Sequence, residues 1–355
     1  MGDIKLKKGT GILFVMAVLF ISSLLYLHYG DQNTLRVGIF YGSNWEVPGT
    51  VHYEILDQAI KKFESKYPNV KVEYEKGILS NDYSEWLSEQ ILKGTEPDVY
   101  LVLDEDFNTL ASLGALKNLD MLVGGDKEFG SNVFYSSVYK AGQYEGSQYA
   151  LPMECNPTLM FVNKTLLQKE GIKVPDNDWT WDDFYDICKT IVKDSDGDGQ
   201  MDQFGCYDYT WLQAVYSNGI TPFNQSGTSS NFLDEKFSQS LEFVKRLEAT
   251  NRNYQVTSND FDLGKVAFRP FTFSDYRTYM PYPWRIKKYS GFEWTCIRMP
   301  AGPSGDNRSE MSALMAGMSS RTEKKQCAWD FVKLLTTDTD IQKLVYEDTS
   351  AASVL

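Results

Sequence analysis

Histidine is nearly absent from this sequence, and its scarcity excludes several kinds of chemistry. Only His28 and His52 occur among the 355 residues. Histidine is the commonest general base and metal ligand near neutral pH, so a histidine-based active site or metal centre is excluded. A nucleophile elbow, a Walker loop, an HExxH motif and a dinucleotide-binding fingerprint are also missing. These absences favour a binding protein, with no catalytic residues, over an enzyme.

Cysteine and positive charge are scarce as well. The five cysteines form no CxxC pair and are odd in number, which argues against a zinc framework and against a dense disulfide scaffold. Lysine and arginine total 35 against 48 aspartates and glutamates, giving a formal net charge of -13. Nucleic acids and anionic lipids attract clustered basic residues, so neither is expected as a partner.

One apolar run is long enough to cross a membrane. Residues 11–27 are almost continuously hydrophobic and follow a lysine-rich flank. This order is typical of a membrane-targeting segment whose basic end stays inside. Because no small-x-small cleavage motif follows, we predict a cytoplasmic tail over 1–9, a transmembrane signal anchor over 10–29 and a linker over 30–34. A cleaved signal peptide is the alternative, and both place the rest of the chain outside the cytoplasm.

After the linker, strand and helix patterns alternate. Apolar runs at 35–41, 70–74 and 99–103 are separated by amphipathic helical patterns at 54–67 and 83–93. This alternation predicts an open α/β sheet, and ligands of such sheets bind beyond the carboxyl ends of the strands. The residues that come after those ends are Trp45, Glu46, Asp104 and Glu105.

The segment 146–164 divides this α/β region from a second region richer in aromatic residues. Pro152 and Pro157 exclude helix from its first half, and the apolar run 158–162 predicts a buried strand. Glu154 is the one carboxylate at their junction. We interpret the segment as a strand that crosses between two lobes, with Glu154 facing a cleft. An interior strand with Glu154 at a solvated end is the alternative.

An acidic loop is the strongest local motif. Its carboxylates occupy positions one, three, five and nine, with glycine at position six, as at the start of an EF-hand calcium loop. Position twelve is Gly205 instead of the usual glutamate, and a strand-like aromatic segment, 207–216, comes next. A structural calcium site and an acidic surface turn both fit this pattern. The candidate ligands are Asp194, Asp196, Asp198, Gln200 and Asp202.

Aromatic and acidic residues also recur together, which favours a carbohydrate ligand. Rings stack on the apolar faces of sugars, and carboxylates accept hydrogen bonds from sugar hydroxyls. Each of these residues alone could serve packing only. The set is Trp45, Glu46, Asp104, Glu105, Glu154, Trp211, Tyr276, Tyr282 and Trp284.

Several stretches, in their order along the chain, resemble the extracellular solute-binding proteins of ABC sugar importers, the class that includes maltodextrin-binding proteins. The resemblance covers nearly everything after residue 35. The stretches are 63–72, 97–100, 149–164, 179–184, 264–268 and 328–333.

This resemblance implies a two-lobe, type II periplasmic-binding-protein-like fold of the α/β class, with hinge crossings. The implied first lobe comprises 35–147 and 262–318, and the second comprises 148–261 and 319–355, ending before relatives of this class end. By position, Glu154 matches a sugar-contacting glutamate. Glu105 or Asp104 matches an acid after the central strand, Tyr276 lies near a stacking aromatic, and Trp45 follows the first strand, where ligand contacts are common.

The resemblance also implies a function. A monomer at the extracellular face of the cell membrane would close on an oligosaccharide and deliver it to an ABC permease. Two other functions stay open from the residues. One is an anchored sugar-sensing module for a signalling partner, and the other is a glycoside hydrolase that uses Glu154 with Glu105.

Overall fold

The computed structural model describes residues 33–45, 52–224, 227–279, 291–349 and 351–355, together with the single residue 16. The predicted membrane anchor at 10–29 therefore lies outside the described residues, apart from that one position. Within the described ranges, no helix combines the length and apolar character needed to cross a membrane.

Strands dominate the centre of the molecule. Over the described part of the chain they form one eight-stranded sheet, in the order β2-β1-β3-β10-β6-β8-β7 with β9 also paired to β6, and a separate hairpin of β4 and β5. The strands are β1 (Thr34–Gly38), β2 (Lys71–Tyr74), β3 (Val99–Val102), β4 (Gln143–Tyr144), β5 (Ser147–Gln148), β6 (Ala150–Asn163), β7 (Phe204–Cys206), β8 (Val266–Thr272), β9 (Trp294–Ile297) and β10 (Met311–Met318).

Helices cover the sheet. They are α1 (His52–Lys66), α2 (Tyr83–Lys93), α3 (Asp104–Ser112), α4 (Asp120–Gly125), α5 (Ser136–Ala141), α6 (Lys164–Lys169), α7 (Trp181–Ile191), α8 (Trp211–Ser217), α9 (Glu235–Glu248), α10 (Ser258–Asp262), α11 (Phe273–Tyr279), α12 (Lys325–Thr337) and α13 (Thr339–Asp348). Short 3-10 turns occur at Ser80–Asp82, Ser131–Val133 and Ala249–Asn251.

The predicted parallel α/β unit is confirmed. β1 pairs in parallel with both β2 and β3. The helices between them bury one face: Ile55, Ala59 and Phe63 of α1 are at most 2% exposed. β3 is buried along its whole length, as expected for a central strand covered on both sides. The carboxyl ends of β1 and β3 therefore meet at one edge of the sheet.

β6 is the strand that joins the two regions of the molecule. It has 14 residues, and all but two of them are buried. Its first half pairs antiparallel with β10, and its second half pairs antiparallel with β8 and β9. The register of β10 shifts between Leu314 and Met315, close to Glu154. The predicted crossing strand is thus present and longer than the apolar run 158–162.

Two hydrophobic cores lie on the two halves of β6. The first contains residues of β1 to β3, α1 to α3, β10, α12 and α13. The second, with an adjoining cluster, contains residues of the second half of β6 and of α6 to α10, β7, β8 and β9. The expected lobes differ from this packing: β8 and β9, within 262–318, pack in the second core, whereas α12 and α13, within 319–355, pack in the first. An amphipathic pattern shows that a helix is buried on one face, but not against which core.

The prediction that the aromatic segment 207–216 is strand-like is wrong, because Trp211–Ser217 forms α8. Thr210 is the N-cap of this helix, and its hydroxyl accepts from the backbone N–H of Leu212 at 3.3 Å. The side chain of Gln213 in turn accepts from the backbone N–H of Thr210 at 2.9 Å. This capping box fixes the start of the helix and outweighs the β-propensity of its aromatic residues.

Candidate functional site

The carboxyl ends of β1 and β3 supply one wall of the candidate site. Trp45 follows β1, and its backbone N–H donates to the Ser43 hydroxyl at 2.9 Å, which orders the turn. Asp104 and Glu105 follow β3 in the first turn of α3. The Trp45 ring is half-buried, whereas both carboxylates are exposed. The predicted neighbour Glu46 lies outside the described residues.

The Asp104 residue is exposed at the surface, but protein atoms around its carboxyl group displace part of the water there. Desolvation by the surrounding atoms, followed by the charge of Glu105, raises the pKa of Asp104 to about 6. Asp104 lies directly after β3, at the strand end where the sequence predicts ligand contacts.

The other residues of the candidate site come from α8, which packs in the second core, and from the segment before β10, where the chain returns to the first core. Glu310 directly precedes β10, and it accepts from the Thr158 hydroxyl at 3.3 Å and hydrogen-bonds with Gln213 of α8. Burial raises the pKa of Glu310. One turn further along α8, burial and then the charges of Glu310 and Asp104 raise the pKa of Tyr216. The charges of Glu310 and Asp104 thus both act on Tyr216, although the three residues belong to different elements.

A pair of hydrogen bonds joins two buried side chains of the crossing segments. The Asn156 amide donates to the Ser274 hydroxyl at 2.9 Å, and the Ser274 backbone N–H donates to the Asn156 amide oxygen at 2.9 Å. Both side chains are buried. The pair joins β6 to the start of α11 and so links the two crossing segments.

Comparison with known proteins decides the family. The model of the family described as bacterial extracellular solute-binding protein matches residues 48–341. The chain belongs to this solute-binding family. The assignment agrees with the resemblance seen in the sequence, and the family is one of binding proteins that act outside the cytoplasm.

Individual relatives of this solute-binding protein are distant. The diacetylchitobiose binding protein DasA of Streptomyces coelicolor is 26% identical over 211 residues, which is 59% of this chain and 47% of the relative. The multiple sugar-binding protein of Streptococcus mutans is 28% identical over 140 residues, 38% of this chain and 30% of the relative. These matches span less than half the length of either curated relative.

Solved structures support the fold. The sugar-binding protein MalE of Xanthomonas citri aligns with a TM-score of 0.70 at 16% identity, covering 90% of this chain and 79% of that protein. At this identity the likeness shows the fold alone: a mixed α/β protein of the type II periplasmic-binding-protein class.

Glu154 of the solute-binding protein does not lie on the surface of the cleft. Its side chain is 0% exposed, and its Oε2 atom accepts from the Trp45 indole N–H at 2.8 Å. The Thr349 hydroxyl is a second partner. Burial dominates these favourable contacts and raises the pKa of Glu154 to about 8. In this conformation the predicted sugar acceptor is therefore enclosed by protein.

The remaining predicted aromatic residues are placed differently. Trp211 is 41% exposed and lines an open cavity of about 770 Å³ that is formed by 206–211 and 244–256, within the second region alone. Tyr276 packs its ring against Phe161 and Trp294, with centroids 5.5 and 5.4 Å away. Tyr282 and Trp284 lie outside the described residues.

Sequence reasoning did not single out four residues of the candidate site: Asn156, Gln213, Tyr216 and Glu310. Glu310 gave a signal, because it directly precedes the apolar run of β10. Gln213 gave another, because it stands three residues after a threonine, as in a capping box. The other two carry no local pattern that distinguishes them from packing residues.

The acidic loop brings three of its five predicted ligands together. One carboxylate oxygen from each of Asp194, Asp196 and Asp202 lies within 4.8 Å of the others. The backbone N–H groups of Gly199 and Gly197 donate to Asp194 at 2.7 and 2.6 Å and lower the pKa of its carboxyl. The cluster thus consists of carboxylate oxygens, which are hard donors of the type that calcium prefers.

Asp198 and Gln200 make other contacts in this loop. Asp198 accepts from the backbone N–H of Gln200 at 2.8 Å. Position twelve has no side chain to offer and no room for one, because Gly205 lies in β7, where an added Cβ would stand 2.4 Å from that of Cys188. The loop therefore fits an ion that completes its coordination with water and backbone carbonyls.

Proposed function

We propose that this solute-binding protein binds an oligosaccharide in the cleft between its two cores and presents it to the membrane permease of an ABC importer. The family match over residues 48–341 carries the proposal, and Tyr216, on which the charges of Glu310 and Asp104 both act, marks the candidate site. An aromatic ring and two carboxylates form the combination that sugar recognition requires.

The fold supplies a mechanism for this binding. β6, the end of β8 and the segment before β10 cross between the regions, and the Asn156–Ser274 pair couples two of these crossings. Ligand contacts on both walls would favour the closed arrangement of the regions, which the permease could then recognise. Relatives named for diacetylchitobiose and for multiple sugars support a carbohydrate ligand, and nothing favours the sensor or the hydrolase.

We also propose that the segment 10–29 anchors the protein at the extracellular face of the membrane, that the protein acts as a monomer, and that the acidic loop holds a structural calcium ion. The composition of the apolar run supports the first proposal. The converging carboxylates of Asp194, Asp196 and Asp202 support the last.

A thermal-shift screen tests the sugar proposal. Maltotriose, mannotriose and diacetylchitobiose, each at about 1 mM, form the first panel, because ligand that binds only the folded state raises the Tm. Tyr216→Ala should abolish the shift of any active sugar, since it removes the aromatic ring of the candidate site, on which the charges of Glu310 and Asp104 both act. Tyr135→Ala, at an exposed tyrosine before α5, is the matched control and should retain it.

If no glycan moves the Tm of the wild-type protein, even after the panel is widened to other oligosaccharides, the carbohydrate assignment is wrong. If Tyr216→Ala keeps the full shift, the sugar binds elsewhere.

A further inference from the structure

One hydrogen bond joins two segments that are distant in sequence. The Trp45 indole N–H, in the turn after β1, donates to Glu154 of the crossing strand at 2.8 Å. Glu154 is 0% exposed, whereas the Trp45 ring is half-buried. A ligand in the cleft can therefore touch Trp45, but it cannot reach Glu154 in this conformation.

The hydrogen bond to Glu154 determines the orientation of the Trp45 ring. An indole has a single N–H donor and no acceptor, so one partner determines which edge of the ring points inward. The Thr349 hydroxyl at the end of α13 holds the Glu154 carboxyl from another side. With its N–H edge held at β6, the ring packs against the first core and stays half-buried.

We propose that Glu154 is a positioning residue: its carboxyl holds the Trp45 indole at the edge of the cleft, and the ring, not the carboxyl, contacts the sugar. The proposal rests on the proposed function and gives Glu154 an indirect role in place of the predicted direct one. A stacking ring that is already ordered binds with a smaller loss of side-chain entropy.

Substitutions that keep or remove the acceptor separate the two roles. Glu154→Gln keeps an oxygen that can accept from the indole, whereas Glu154→Met has a similar length and no acceptor. We expect sugar affinity, measured by titration calorimetry with the active member of the panel, to stay within about threefold for Glu154→Gln. It should fall by roughly tenfold or more for Glu154→Met, as losing a buried hydrogen-bond partner implies.

Trp45→Phe completes a double-mutant cycle. It retains a ring but has no donor, so it should weaken binding, and adding Glu154→Met to it should cost little more. Cys155→Ala is the matched control, because it also removes a buried side chain of β6 but leaves the Trp45 contact intact. It should bind the sugar as the wild type does.

An NMR measurement on the ligand-free protein reports the contact itself. The indole ¹H–¹⁵N resonance of Trp45, assigned by its loss in Trp45→Phe, should keep its hydrogen-bonded, downfield position in Glu154→Gln. It should move upfield in Glu154→Met. A merely structural role for Glu154 would lower stability without linking this resonance to affinity.

Three outcomes would overturn the proposal. A Glu154→Met protein that shows the shifted resonance and still binds as tightly as the wild type would remove the positioning role while leaving sugar binding intact. Equal weakening in Glu154→Gln and Glu154→Met would make the carboxyl itself the binding group. Absence of any binding by the wild-type protein would remove the proposed function as well, and so is distinguishable from the other two.

Discussion

At the scale of single residues, Glu154 makes stability depend on pH. Burial raises the pKa of its carboxyl from an ordinary value of 4.5 to about 8. Between these values the folded state holds a proton that the unfolded state has released. Its contribution to stability is therefore complete below about pH 4.5 and is lost as the pH rises through about 8. The total loss is on the order of a few kcal/mol.

Glu154→Gln should remove this dependence, because an amide does not titrate. Relative to the wild type, we expect the variant to gain Tm progressively between about pH 5 and about pH 8.5, the range over which the proton is released. The neighbouring Cys155 thiol has a pKa raised to about 12 and stays protonated throughout. Thermal melts of both proteins across this range provide the measurement, and parallel curves would contradict the assigned shift.

The position of Glu154 could be predicted from the sequence, but its environment could not. The two prolines and the apolar run place it on a crossing strand, as the structure confirms. Its enclosure depends on Trp45 and Thr349, and no local pattern reveals contacts with residues so far along the chain. Asn156 escaped prediction for the same reason, because its partner Ser274 belongs to another segment.

At the scale of elements, the acidic loop between α7 and β7 makes a separate prediction. If it holds calcium, the ion offsets repulsion among Asp194, Asp196 and Asp202, so removal by EGTA should lower the Tm and added calcium should restore it. Asp196→Asn should make the Tm insensitive to both treatments. Asp182→Asn, at an exposed carboxylate of α7, should leave the response unchanged.

An unchanged Tm in the wild-type protein after chelation would identify the loop as an acidic surface turn. In that case the backbone N–H groups of Gly197 and Gly199, which already donate to Asp194, would suffice to order it.

The N-termini of α7 and α8 show which structural features a local sequence pattern can predict. Thr180 and Asp183 predict the N-terminus of α7, and the structure contains the full capping box. Thr210 and Gln213 form the same arrangement at α8, but surrounding aromatic residues suggested a strand. Capping chemistry acts within four residues and does not depend on the side chains beyond the first turn, so it was the more reliable of the two signals.

At the scale of the whole molecule, β6 links the stability of the two cores. Met153 belongs to the first core and Met160 to the second. A second link is Arg277 of α11, which donates to the Tyr346 carbonyl at the end of α13 at 2.5 Å. Because β6 packs in both cores, neither core can unfold without exposing a strand that also packs in the other.

Calorimetry should therefore show one unfolding transition, with calorimetric and van't Hoff enthalpies in agreement. Phe161→Ala removes a ring that is 1% exposed in the second region and should destabilise the protein by roughly 3 kcal/mol or more. Because the cores are linked, the whole transition should move to lower temperature. Two transitions, of which only one moved, would show that the regions unfold independently.

The discontinuous first core also sets the order in which the chain can fold as it emerges. Residues of the second core lie between Met160 and Met299, in one continuous stretch. The first core begins at Leu35 and stays incomplete until Val345 has been added. The part of the chain made first is thus finished last: its exposed apolar strands must wait for α12 and α13, while the later-made region can already close.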